Sequence, residues 1–166
     1  MRWVIRTVGV IVAAVAAVVA IGWLLPVAHE ASRSALFTHS PQQVYDVVAD
    51  VGGQAAWFEG VSRVEMLDAP GGRIRFRQHT STGPLVMEVD EARPPFRFVT
   101  RIADSDQPFG GTWTFEIAPA NGGARLTITE RGEIYNPIFR FMARMVFGYT
   151  ATMDAYLQSL QRRLGG

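Results

Sequence analysis

The run TVGVIVAAVAAVVAIGWLLPVA, from Thr7 to Ala28, contains no charged side chain in 22 residues. At about 1.5 Å per residue, a helix of that length crosses a hydrocarbon core of roughly 30 Å. The run therefore predicts a membrane span, with the rest of the chain folding outside the bilayer. Arg2 and Arg6 precede it, Trp3 and Trp23 stand near its ends, and the far flank HEASR sets only Arg33 against Glu30. Arginine on the near side places the N-terminus inside and the following domain outside. A cleaved signal peptide shares the basic start and the apolar run. The run is longer than a usual signal core and no convincing A-x-A precedes the polar segment, so an uncleaved anchor over residues 1–31 is the stronger reading.

The remaining residues, 32–166, are enough for one ordinary domain. With no cysteine, neither a disulfide framework nor a thiol nucleophile is open to the chain. All 16 basic residues are arginine, so Schiff-base and P-loop lysine chemistry are also absent. A net charge of +1 without a basic cluster gives nucleic-acid binding little electrostatic support. His29, His39 and His79 have no partners at metal-ligand or triad spacing, and each is expected to face solvent. No metal site and no cofactor are expected.

Residues 32–38, SRSALFT, suit a first strand. HSPQQVYDVVAD then carries a helix start: Ser40 as cap, Pro41 at the first helical position and Gln43 three residues after the cap. A helix is expected over about residues 41–50, followed by a loop and a short turn carrying Trp57 and Phe58. From Val61 to Glu133 six strand patterns alternate with the turns DAPGG, STGP, RPP and NGG. Connections this short imply an antiparallel meander. NPIFRFMARMVFGYTATMDAYLQSLQRRL closes the chain as a helix capped by Asn136, with Gly148 a point where it could bend or break.

Strand, two short helices, six-strand meander and long last helix give an α+β chain that resembles the START-like helix-grip superfamily (SRPBCC). In detail it is similar to the bacterial polyketide cyclase/dehydrase and lipid-transport family. The residues that carry the resemblance are SPQQVYDVVADVGGQAAWFEGV, the EARPPFR turn at 91–97, GGTWTFEIAPANGGARLTIT at 110–129 and the NP opening of the last helix. The resemblance implies a curved seven-stranded antiparallel sheet wrapped round the C-terminal helix, with a mostly apolar cavity between them. Combined with the anchor, it implies a single-pass protein of a bacterial inner membrane, its C-terminal domain periplasmic.

Strand alternation selects the residues facing that interior. Ile74, Phe76 and Gln78 share one side, against Arg73, Arg75, Arg77 and His79 on the other. Leu85, Met87 and Val89 continue the inner set, then Phe96, Phe98, Thr100 and Ile102, then Trp113, Phe115 and Ile117, then Leu126, Ile128 and Glu130. Only Gln78, Thr100 and Glu130 are polar. The last helix offers Met142, Met145, Tyr149, Met153 and Tyr156. Ligand contacts are expected from Trp57, Phe76, Gln78, Met87, Phe98, Thr100, Trp113, Phe115, Glu130, Met145, Tyr149 and Met153. Ordinary core packing is the competing account of the methionines and aromatics.

Glu130 stands out because an inward carboxylate must be neutral, paired or wet. It could reach solvent or an arginine at the strand end, anchor a ligand hydroxyl or carbonyl, or act as a general acid or base. IFRFMARMVFG is apolar nearly all round, and its surplus Phe139, Val146 and Phe147 either cover the first helices and a cavity rim or lie among lipid headgroups. The leading expectation is a hydrophobic small molecule or lipid bound beside the membrane, with lipid transfer as an extension of that role. A cyclase- or dehydratase-type enzyme using Glu130, or an interaction protein with a filled interior, are the alternatives.

Overall fold

The computed structural model describes residues 2–165. Met1 and Gly166, the outer ends of the two expected segments, lie outside the described residues. Helix α1 (Arg2–Leu24) includes 22 residues, Trp3–Leu24, that are long and apolar enough to cross a membrane. From Trp3 to Ala17 every residue is exposed. Only near its C-terminal end do Val18, Val19 and Gly22 lose exposure, where α1 meets a later helix.

Strand β1 (Ala28–Phe37) begins four residues before the expected Ser32, inside the segment expected to be a linker. Its alternation is hard to see because the side that faces inward carries His29, Ala31, Arg33 and Ala35. Helix α2 (Pro41–Ala49) starts as the sequence predicts: the Ser40 hydroxyl accepts from the Gln43 N–H at 3.3 Å, and Gln43 Oε1 accepts from the Ser40 N–H at 3.0 Å. Such a cap contributes about 1 kcal/mol. A 3₁₀ turn (Val51–Ala56) leads into the meander.

The meander comprises β2 (Arg63–Leu67), β3 (Arg75–Thr80), β4 (Gly83–Arg93), β5 (Arg97–Ile102), β6 (Phe109–Ala120) and β7 (Gly123–Ile134). With β1 they form one seven-stranded antiparallel sheet in the order β1-β7-β6-β5-β4-β3-β2. A bulge between Val89 and Glu91 shifts the phase of β4, so that Ala92 rather than Glu91 stands opposite Phe98. On the convex side, charges alternate with the buried set and neutralise one another. Arg73 and Arg101 both reach Glu88, at 2.6 and 2.9 Å, and Arg77 reaches Glu65 at 3.0 Å. The Arg73 hydrogen bond, aided by Arg101, holds the Glu88 carboxyl below its ordinary pKa despite burial.

The final helical stretch is two pieces, not one rod. Asn136 caps α3 (Pro137–Met142), its Oδ1 accepting from the N–H groups of Ile138 and Phe139 at 2.9 and 3.2 Å. A π-helical turn (Ala143–Phe147) follows, and Gly148 then breaks the helix with φ 74°, a conformation open to glycine. Helix α4 (Ala151–Leu164) is the one the sheet grips. It buries Met153, Tyr156, Leu157 and Leu160 against Phe76, Phe115, Leu126 and Ile128 of the sheet and Val44 and Val48 of α2. Each such side chain contributes roughly 1.5–3 kcal/mol.

Helix α3 leaves the sheet and packs on α1 instead. A Cβ at Gly22 would fall on the Pro137 carbonyl, so glycine permits the close approach. Arg140, only 5% exposed, donates to the Leu25 carbonyl at 2.8 Å and the Tyr135 carbonyl at 3.1 Å. A guanidinium at the end of α1 meets the negative end of that helix dipole, which favours the docking.

Candidate functional site

Between sheet and α4 the structure encloses a cavity of about 550 Å³. Its wall is mostly apolar: Phe76, Leu85, Met87, Ile102, Trp113 and Phe115 from the sheet, Phe58 and Val61 from the segment after the 3₁₀ turn, and Ala151, Ala155 and Tyr156 from α4. The alternation that buries one face of each strand is what delivers these side chains to one space. An interior of this volume sets aside the expectation that the domain is filled by its own side chains.

Polar residues interrupt the wall, among them Thr80, Ser81 and Thr82 at the β3–β4 turn. Gln78 Nε2 donates to Gln54 Oε1 at 2.5 Å, joining the two amides at one wall. Thr100 lies deeper, 5% exposed. Tyr156 is buried among Trp57, Phe58, Trp113 and Phe115, and among the described residues its hydroxyl has no hydrogen-bond partner. Burial pushes its pKa up, so the phenol keeps its proton. An unpartnered hydroxyl in such a place costs about 1–3 kcal/mol until something accepts from it.

Glu130 stands where a second, smaller cavity of about 290 Å³ meets the first; the two share Phe109, Gly110, Glu130 and Thr152. Its inward phase is as expected, and its charged neighbour is a histidine, while the carboxyl keeps 23% side-chain exposure. His29 Nε2 lies 3.4 Å from Glu130 Oε1, and the His29 ring stacks on Tyr149 with centroids 4.0 Å apart and planes at 15°. Gly132, paired with His29 across β1 and β7, leaves room for the ring, since a Cβ there would strike the imidazole. Burial raises the Glu130 pKa above its ordinary value, opposed by the neighbouring His29 and by the Trp113 indole. A carboxyl so placed can exchange a proton with His29 or with a bound molecule.

The expectation that all three histidines face solvent therefore fails for His29, whose side chain is 9% exposed. His79 also has a partner, Glu65 at 3.2 Å on the convex side. Among the described residues no three His, Asp or Glu side chains group as metal ligands would.

Of the predicted contacts, Phe76, Gln78, Met87, Thr100, Trp113, Phe115 and Glu130 line the large cavity. Phe98 and Met153, at 1% and 0% exposure, are core behind the wall. Trp57 packs edge-on against Tyr156, centroids 5.1 Å apart, also behind it. Tyr149 lines the smaller cavity, and Met145 is exposed on the π turn because the helix break carries it off the sheet. Sequence reasoning missed Gln54, Phe58 and Thr152 as wall residues and His29 as the partner of Glu130. Tyr156 was readable as inward, but its missing partner was not.

Residues 28–165 match the family model described as polyketide cyclase / dehydrase and lipid transport, and the chain belongs to that family. Solved structures agree on the fold. The Zhui aromatase/cyclase from a Streptomyces species superposes with a TM-score of 0.69 at 13% identity, covering 83% of this chain and 94% of that one. A START superfamily protein from Mycobacterium smegmatis gives 0.66 at 17% identity, covering 82% and 97%. The di-domain ARO/CYC StfQ from the steffimycin biosynthetic pathway gives 0.67 at 14%, covering 84% of this chain but 53% of that chain's length. No functionally curated protein matches the chain. The fold and cavity fit a protein that binds hydrophobic ligands.

Proposed function

We propose that the chain is a single-pass membrane-anchored binding protein that holds a lipid or other hydrophobic molecule in the large cavity and passes it to or from the bilayer. The anchor and its short linker are residues 1–31 and the binding domain is residues 32–166, with β1 already begun in the linker at Ala28; the arginine bias puts that domain on the periplasmic side of a bacterial inner membrane. The observation that carries the reading is a cavity of about 550 Å³ whose apolar wall includes the unpartnered Tyr156 hydroxyl. An apolar molecule with one hydrogen-bond acceptor meets both features, and Thr100 and the Gln54–Gln78 pair offer further polar contacts. The test is to purify the full chain in detergent, extract it under denaturing conditions and identify lipophilic molecules by mass spectrometry. A defined co-purifying species, absent from a Tyr156→Phe, Met87→Asp double variant that still folds, is expected. No extract above the detergent background, with no thermal stabilisation by a broad lipid panel, defeats the reading.

A second reading is favoured by Glu130 and His29, a carboxyl and an imidazole 3.4 Å apart at the cavity wall. It makes the chain an enzyme of cyclase or dehydratase type, as the Zhui and StfQ proteins are described to be aromatase/cyclases. Glu130→Gln would then retain the ligand and lose turnover. Unchanged product formation in that variant sinks it.

A further inference from the structure

We propose that residues 137–147 form an in-plane membrane-contact surface beside the end of the anchor, and that the smaller cavity beneath them is the mouth through which a lipophilic ligand passes sideways between leaflet and large cavity. The proposal rests on the anchor and cavity readings above. Its first support is depth. Helix α3 packs where Val18, Val19 and Gly22 lose exposure, and Arg140 holds the Leu25 carbonyl at 2.8 Å. From Val18 to Leu25 is about 10 Å of helix rise, and Trp23, an interfacial residue type, lies within it. A helix docked there sits at the boundary between acyl chains and headgroups once α1 spans a bilayer.

The second support is chemistry. Ile138, Phe139, Met145, Val146 and Phe147 are 42–66% exposed within eleven residues, and Arg144 is exposed among them. In water this is an apolar patch with no partner; at a bilayer surface it is an aromatic and aliphatic face with a guanidinium for phosphate. Continuity with α1 makes lipid the occupant.

The third support is where the segment leads. Phe139, Met142 and Phe147 form one wall of the smaller cavity, facing Phe109 and Ile134 of the sheet. Its inner end is Glu130, which also borders the large cavity. The His29–Tyr149 stack and the His29–Glu130 contact stand at that junction. Tyr149 directly follows the Gly148 break, so a shift of the membrane-contact segment about Gly148 would draw Tyr149 from His29 and widen the passage.

Because the chain has no cysteine, single substitutions give unique label sites. The full chain is reconstituted in phosphatidylcholine–phosphatidylglycerol nanodiscs with a nitroxide at Phe147→Cys, Trp23→Cys or Met66→Cys. Collision with oxygen is compared with collision with a water-soluble nickel chelate. Labels at 147 and 23 are expected to favour oxygen, and the label at 66, on β2 and 57% exposed, the chelate. If 23 favours oxygen while 147 behaves as 66, the surface proposal fails and the anchor stands; if 23 also favours the chelate, both fail.

The mouth is tested with an NBD-labelled fatty acid carried in the same lipids. Phe139→Asp with Phe147→Asp is expected to slow its uptake by about tenfold or more, while affinity measured in detergent changes less than about twofold. Equal uptake by variant and wild type overturns the mouth. A probe that fails to bind wild type in detergent counts against the cavity reading on which the mouth depends.

Discussion

The two helical pieces after Asn136 both carry methionine and aromatic side chains, yet their fates differ. Helix α4 buries Met153, Tyr156, Leu157 and Leu160 almost completely. Between Ile138 and Phe147, five large apolar side chains stay exposed and the only buried residue is an arginine. Composition therefore does not decide burial; the available partner does. α4 has a concave sheet to fill, whereas α3 has mainly the end of α1, and one apolar face cannot serve both directions once Gly148 turns the chain.

The contrast can be broken by truncation. Leu160→Ala removes a side chain with 0% exposure and is expected to cost about 3 kcal/mol, read as a lower denaturation midpoint in detergent. Phe147→Ala, at 66% exposure, should change the same midpoint by no more than about 0.5 kcal/mol. Equal losses would mean that the two pieces are held alike. Next in size is Gly22→Leu, which forces a side chain onto the Pro137 carbonyl. Overpacking of that kind costs about 1–3 kcal/mol. Here it should release α3 from α1 while leaving α4 in place, so protease cleavage near Arg144 should rise while α4 stays protected. Cleavage that rises equally in α4 would show that the pieces are not independent.

Much of this was legible because it is local. Strand alternation placed Phe76, Phe115, Leu126, Ile128 and Glu130 on one face, and Ser40 and Asn136 announced two helix starts that hydrogen bonds bear out. Alternation gives the face but not the depth, and so Phe98 and Met153 were grouped with cavity residues although both are core. Met145 was misplaced because a helical stripe was continued across a glycine. His29 was illegible for a different reason. Its contact with Glu130 joins residues about a hundred apart through β1–β7 pairing, and the inner positions of β1 do not read as an apolar stripe.

Glu130 sits where the two pieces part, and gives the smallest expected effect. Burial raises its folded-state pKa above the ordinary 4.5, so the folded chain holds the proton more tightly than the unfolded chain. Stability contributed by the neutral carboxyl is then complete below pH 4.5 and is lost as pH rises through the raised value. Glu130→Gln keeps a neutral side chain throughout, so the denaturation midpoint of wild type should fall relative to the variant as pH rises from about 4.5. His29 opposes the shift. Repeating the pair in a His29→Gln background removes that opposition and should steepen the difference. Parallel curves in both backgrounds would mean that Glu130 is solvated in solution, and that the junction between the two cavities is open to water rather than closed by the Tyr149 stack.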